Sequence, residues 1–424
     1  MKKYILLFIL CFMLGFISRT GIYYLNASRT HGETVHVFFE VYATNPALSQ
    51  MVEFAKLPKS ARKLIAWHRF SNRKNVLDLD AYNTAEIDII PKEGFYGSST
   101  RRVFREVMKI YAQNPDTRFV LYTNFSHQNI TLVPFLNKLP KENIEHIHLF
   151  EDGYGDLLKS PHHDDENGDK YTAELIEQLP DIVQGKLPWK IEAGVTLHKL
   201  YPVTYHFMLT DEIKKNKRFK PLINWLKDAD VQNIDFDDLR MTMSEEQKRV
   251  VYRLAGFDYD TFYPLMHNKQ TVVYALGYFF GNKKNEKAQL NLLDSLRKGQ
   301  LAFLTNDKKY TWFYKPHPSL DAKKFTEEIK THFPDMIEIP AQVPFEVLIL
   351  AGLKPTKTIG YGSSFFYSLN ADDVLLYIKR GQKDRYMDVL QQIKKLRQNQ
   401  TIDLMKFTDD YLCRSKPLNC CTTP

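Results

Sequence analysis

Cysteine is scarce. Of four in 424 residues, Cys11 lies in an N-terminal apolar run, and Cys413, Cys420 and Cys421 crowd the other end. The body of the chain between them has none, which excludes a disulfide framework or a cysteine-based zinc site for the core and leaves room only for a bridge within the tail. A full-length transmembrane run is also missing. The uncharged stretch from Tyr4 to Ser18, preceded by Lys2 and Lys3 and closed by Arg19, falls short of a span of about 20 residues. It fits a signal-peptide core or, with Gly21 to Leu25 added, an uncleaved anchor; the anchor is the expectation here, and the side of the membrane stays open. No internal repeat is visible, and nothing resembles a nucleic-acid module. The net charge of +8 is spread along the chain. Basic runs such as Lys214-Lys215-Asn216-Lys217-Arg218 read as solvated faces, or as contacts for an anionic membrane surface or a phosphorylated substrate.

What is present is ordinary for a globular protein: 44% hydrophobic and 25% charged residues. The length suffices for two domains with separate cores. From Thr34 the pattern alternates. Val35 to Phe39, Lys63 to Trp67, Ile87 to Ile90, Phe119 to Tyr122 and Ile144 to Phe150 read as strands, with helices near Ser49 to Ala55 and Thr100 to Ala112. Such alternation implies a mostly parallel sheet covered on both faces. A looser stretch from Pro180 to Pro202 follows the helical Tyr171 to Gln178 and marks the expected boundary. A second series then gives strands at Tyr205 to Leu209, Thr271 to Leu276, Tyr310 to Lys315, Thr356 to Gly360 and Val374 to Ile378. Helices are expected near Glu245 to Leu254 (with Ser244 as N-cap), Glu286 to Arg297, Ala322 to His332 and Met387 to Leu396. The division is therefore a leader or anchor (1–30), an N-terminal domain (34–190), a C-terminal domain (200–396) and a C-terminal segment (397–424) that packs back on the N-terminal domain. Two doubly wound domains facing one another leave a cleft between their sheet ends.

The strand Ile144 to Phe150 runs into Glu151-Asp152-Gly153. Ligands of open α/β sheets bind outside the carboxyl ends of the strands. Side chains alternate along a strand, so only one of the two acids faces a substrate, and Asp152 is the one expected. Lys315-Pro316-His317-Pro318 likewise puts a histidine at a strand's carboxyl end, on backbone stiffened by proline. Pro344-Phe345-Glu346-Val347-Leu348 opens an apolar helix with an acid in its first turn, and Gly362-Ser363-Ser364 precedes another apolar run. Taken singly these are a turn-capping acid, a packed histidine, a helix-dipole contact and an N-cap. The polar loop Ser160 to Gly168, with His162, His163, Asp164 and Asp165, reads as solvated rather than as a metal site.

Their ordered set is specific. Glu151-Asp152-Gly153, then Lys315-x-His317-Pro318, then Ile339-Pro340-Ala341 with Phe345-Glu346-Val347-Leu348, then Ser363-Ser364, resembles the bacterial sialyltransferases of the Pasteurella and Photobacterium type. Tyr205-His206-Phe207 and Gln289-Leu290-Asn291-Leu292-Leu293 are also similar to that family, and the likeness covers roughly Thr34 to Leu412. The resemblance implies an α/β GT-B fold of two Rossmann-like domains across a cleft. It also implies inverting transfer of sialic acid from CMP-sialic acid to a galactoside acceptor of a glycan or lipooligosaccharide, with no metal or other cofactor. By the same resemblance Asp152 is the general base and His317 the donor to the departing phosphate, helped by Ser363 and Ser364. Lys315, Pro318 and Glu346 hold the donor, and His127 and Phe279 the acceptor. Three positions depart from the family's pattern: Glu151 stands where Asp is usual, Pro316 where Gly is usual, and Phe279 where a tryptophan stacks on the acceptor. Two other readings remain open: transfer of another CMP-activated acid sugar such as Kdo, and a surface-anchored sialoglycan-binding protein without catalysis.

Overall fold

The computed structural model describes residues 32–41, 43–70, 73–87, 96–152, 168–208, 214–215, 217–276, 283–297, 310–317, 322–361, 364–379 and 401–403. The first seven strands are β1 (Thr34–Glu40), β2 (Arg62–Trp67), β3 (Thr84–Glu86), β4 (Arg118–Asn124), β5 (Ile144–Phe150), β6 (Val203–Phe207) and β7 (Asp230–Asn233). They form one parallel sheet in the order β3-β2-β1-β4-β5-β6-β7. A parallel sheet is covered on both faces, so its strands are apolar almost throughout; β4 is buried from Phe119 to Asn124. The helix Thr44–Lys56 covers one face. Phe54 of that helix meets Phe38 edge-on at 5.7 Å, and Trp67 Nε1 donates to Gln50 Oε1 at 2.8 Å. The helix Tyr96–Gln113 covers the opposite face, where it faces Leu64.

The remaining strands are β8 (Thr271–Ala275), β9 (Thr311–Lys315), β10 (Ile337–Glu338), β11 (Lys357–Tyr361), β12 (Val374–Lys379) and β13 (Thr401–Asp403). They make a second parallel sheet, β10-β9-β8-β11-β12-β13. Alternation along β8 divides its side chains between two cores. Val272 and Tyr274 pack with Leu292, Leu293 and Ile329, whereas Val273 and Ala275 join the large core that also holds Phe38, Trp67 and Val347. Gly360 of β11 lies in register with Ala275. A Cβ there would come within 2.8 Å of the Ala275 carbonyl oxygen, so glycine alone lets the two strands approach this closely.

Most expected elements are found. The helix Glu245–Leu254 has the expected Ser244 N-cap in a full capping box: Ser244 Oγ accepts from Gln247 N, and Gln247 Oε1 accepts from Ser244 N. It packs beside the first sheet, with Lys59 bridging Glu246 at 2.8 Å and Arg73 Nη1 donating to the Leu254 carbonyl at 2.7 Å.

Two expectations are corrected. The strand at Tyr205, expected to open the second series, hydrogen-bonds to β5 as β6 of the first sheet, so the change of sheet falls between Asn233 and Thr271 rather than at 190–200. The strand expected at Ile87 to Ile90 is found at Thr84–Glu86, with Ile87 N donating to the Ile65 carbonyl, and residues 88–90 lie outside the described residues. Of the segment 397–424, Thr401–Asp403 pairs with β12 in the second sheet, and the packing expected of the rest falls on residues 397–400 and 404–424, outside the described residues. The anchor (1–30), the helix expected at Met387 to Leu396 and the polar loop from Ser160 lie outside the described residues. Among the described residues no helix is long and apolar enough to cross a membrane.

Candidate active site

The end of β5 is built by pairing that stops abruptly. Phe125 N donates to the Phe150 carbonyl at 2.8 Å, and Glu151 N donates to the His206 carbonyl at 3.1 Å. Glu151 and Asp152 follow the strand directly. Glu151 is fully buried, and its Oε2 accepts from Met208 N at 2.8 Å, tying the segment after β6 to the end of β5. Asp152, next in the chain, points the other way, is half-buried, and lines a cavity of about 270 Å³. Strand alternation thus divides the two acids as expected: one holds backbone, the other faces the open space.

The far wall comes from the second sheet. Lys315 ends β9, in register with Ala275, and its carbonyl accepts from Leu276 N at 2.9 Å. Its ammonium is buried and donates to the carbonyls of Ala341 at 2.6 Å and Pro316 at 2.9 Å. Glu346 opens the short helix Glu346–Leu350 and is also buried. Burial pushes the Lys315 ammonium well below the usual lysine range. The Glu346 carboxylate nearby pulls it back up, and Arg69 lowers it further. Burial likewise raises the Glu346 carboxyl, which a backbone hydrogen bond and then Lys315 draw down again. His317, two residues beyond β9, is half-buried and faces the same cavity.

Asp152 from the first sheet therefore shares one cavity with Lys315, His317 and Glu346 from the second unit. The chain also supplies wall residues that no motif had marked. Arg69 sits in the turn His68–Phe70 just past β2, and Thr44 and Asn45 begin the helix that follows β1. All three stand at carboxyl ends of first-sheet strands, so the rule that singled out Asp152 would have found them had it been applied to β1 and β2 as well. Phe345 and Phe365, stacked at 4.4 Å, close the side next to Glu346.

The other expected residues fall elsewhere. His127 lies half-buried in the turn after β4, one strand over from Asp152, where its carbonyl accepts from Thr131 Oγ1 at 3.1 Å; it does not line the cavity. Ser364 begins the 3-10 turn Ser364–Ser368 that follows β11. Ser363, Pro318 and Phe279 lie outside the described residues.

A half-buried carboxylate facing an imidazole and a buried ammonium across a cleft can take a proton on one side and stabilise departing negative charge on the other. Two parallel α/β sheets presenting their carboxyl ends to a shared cavity are the architecture of the GT-B fold. Solved structures agree on the fold. The α/β-galactoside α-2,3-sialyltransferase of Photobacterium phosphoreum matches with a TM-score of 0.71 at 19% identity, over 88% of this chain and 99% of that one. The 2,6-sialyltransferase of Photobacterium sp. JT-ISH-224, solved in a ternary complex with CMP and lactose, matches with a TM-score of 0.72 at 18% identity, over 88% of this chain and 78% of that one. No curated protein sequence matches the chain. The family model described as sialyltransferase PMO188 matches residues 35–407, and the chain belongs to that family.

Proposed function

We propose that this sialyltransferase moves sialic acid from CMP-sialic acid to a galactoside-terminated glycan, lipooligosaccharide included, with inversion at the anomeric carbon and without a metal ion. One observation carries the reading: Asp152 and His317, far apart in sequence and on separate sheets, line one cavity together with Lys315 and Glu346. A second support is the ternary complex of the 2,6-sialyltransferase relative, which holds CMP and lactose.

In this reading the acceptor hydroxyl attacks the anomeric carbon from the face opposite the phosphate. Asp152 takes the hydroxyl proton, a contribution of about 10²- to 10⁴-fold for a positioned base. The bond from the anomeric carbon to the phosphate oxygen breaks, and His317 as imidazolium gives a proton to that oxygen. Ser363 and Ser364 donate to the same phosphate. These contacts strengthen as charge develops, so they act mainly in the transition state. Lys315, Pro318 and Glu346 hold the nucleotide, and Arg69 adds a second cation facing the donor's anionic groups. Acceptor contacts are assigned to His127 and Phe279, and residues 1–30 to a membrane anchor.

The test is incubation of the purified chain with CMP-sialic acid and lactose, with and without a chelator, scoring CMP and sialyllactose. Stoichiometric formation of both, undiminished by the chelator, is expected. Transfer from CMP-Kdo in place of CMP-sialic acid, or glycan binding without CMP release, would overturn the reading.

A further inference from the structure

A second, larger hollow of about 770 Å³ lies away from the cleft, between the edge of the first sheet and the helix Tyr96–Gln113. Its floor is apolar, made by Leu64, Ala85, Ile87 and Ile110. Its rim is basic. Arg62, Arg101, Arg102, Arg105 and Lys109 face two carboxylates, Glu86 and Glu106, leaving a net of +3 (five cations less two anions). Glu86 is engaged by the backbone N–H groups of Arg73 and Lys74, and Glu106 by Lys109 at 2.7 Å. Arg101, Arg105 and Lys109 are exposed and follow one side of the helix over roughly 12 Å.

The position of this basic face is informative. Arg62 is the first residue of β2, in register with Val35 at the start of β1, and it bridges Glu33 at 2.7 Å. The chain therefore enters the first sheet beside the hollow, and the apolar run Tyr4 to Ser18 lies only some fifteen residues upstream of that entry. The cleft is at the other end of the same strands: Arg69, just past β2, lines the cavity. A strand of this length holds the two ends roughly 20 Å apart.

We propose that this face is a membrane-contact surface, with the basic rim on the phosphates of an anionic bilayer and the cleft held away from it toward glycans that project from the same surface. The inference rests on the reading of residues 1–30 as a membrane segment, and it adds a second, electrostatic contact to it. Basic side chains near an anionic bilayer each contribute roughly fivefold to partitioning, and the contact weakens with salt.

The experiment measures co-sedimentation of the full chain with phosphatidylcholine vesicles and with vesicles containing phosphatidylglycerol, at low and high salt. It is repeated for the variant Arg101→Glu/Arg105→Glu/Lys109→Glu. The native chain is expected to prefer the anionic vesicles at low salt, and the variant to lose that preference by at least about a hundredfold while retaining lactose sialylation. Equal partitioning of both proteins onto anionic vesicles overturns the inference. So does a variant whose only defect is a raised KM for a phosphorylated acceptor, because the rim would then bind acceptor rather than lipid. Partitioning onto neutral vesicles reports separately on residues 1–30: its absence sinks the anchor reading while an anionic preference still supports the basic face.

Discussion

Acid should unfold the first sheet steeply, because histidines lie in a row beneath the helix Thr44–Lys56. His36 on β1, His148 on β5 and His206 on β6 flank Tyr122, which stacks on His148 at 4.5 Å with the rings 7° apart. His148 Nδ1 and His206 Nε2 share a hydrogen bond at 2.9 Å, and Phe150 stacks on His206 at 4.2 Å. Burial pushes both imidazoles far below the usual histidine range, and His146 and Lys56 add positive charge that lowers them further. His36 is lowered to about 4, again mainly by burial. Both rings are neutral in the folded chain, while unfolded histidine takes up a proton below about pH 6.5. Above that pH they contribute nothing to the pH dependence. Below it the unfolded state binds more protons, and stability falls as pH falls until the folded-state values are reached. Each such ring contributes about 1.36 kcal/mol per pH unit, so the two deepest give a slope of about 2.7. Between pH 6.5 and 4.5 that is about 5 kcal/mol, comparable with the whole stability of a marginal domain. His148→Phe keeps the ring stack but removes one titrating group and leaves His206 short of a partner, which costs about 1–3 kcal/mol at pH 8. The variant should therefore be less stable at pH 8, have a slope shallower by about 1.4 kcal/mol per pH unit, and meet the native curve between roughly pH 4 and 6. Urea unfolding followed by tryptophan fluorescence checks this, since Trp67, Trp189 and Trp225 all precede β7. Parallel stability curves for the two proteins from pH 7 to 5 would refute the reasoning.

Two further substitutions test the cleft. His317→Ala should lower kcat by roughly 10²- to 10³-fold, the usual loss for one donor to developing charge, with sialyllactose formation as the assay. Lys315→Met should weaken CMP binding at least tenfold in a calorimetric titration. It should also lower the unfolding midpoint, because the Ala341 and Pro316 carbonyls lose their donor and Glu346 its nearby cation.

How much of this was legible in the sequence depended on burial. The strand Ile144–Phe150, the helices Glu245–Leu254 and Ala322–His332 and the Ser244 cap coincide with their apolar periodicity, because each has a face that only a core satisfies. Thr84–Glu86 and Asp230–Asn233 were illegible for the opposite reason. They are short edge strands and carry no apolar alternation to mark them. The strand at Tyr205 was recognised but placed in the wrong series, since its partner β5 lies across the helix Gly168–Val183 and no local pattern states which sheet a strand joins. In the site, Asp152 and His317 were readable because loops at strand ends expose them. Arg69 belongs to no motif, and only its place just past the carboxyl end of β2 marks it as a wall residue. Glu151 shows what the strand end requires: a carboxylate in the interior that holds Met208 N, a role the longer side chain fills while Asp152 keeps its outward aim.

The most direct measurement is kcat for sialyllactose formation, beside the dissociation constant for CMP, in Asp152→Asn. The account predicts a loss of at least a hundredfold in kcat with CMP affinity within about twofold of the native chain. Undiminished transfer by that variant would contradict it.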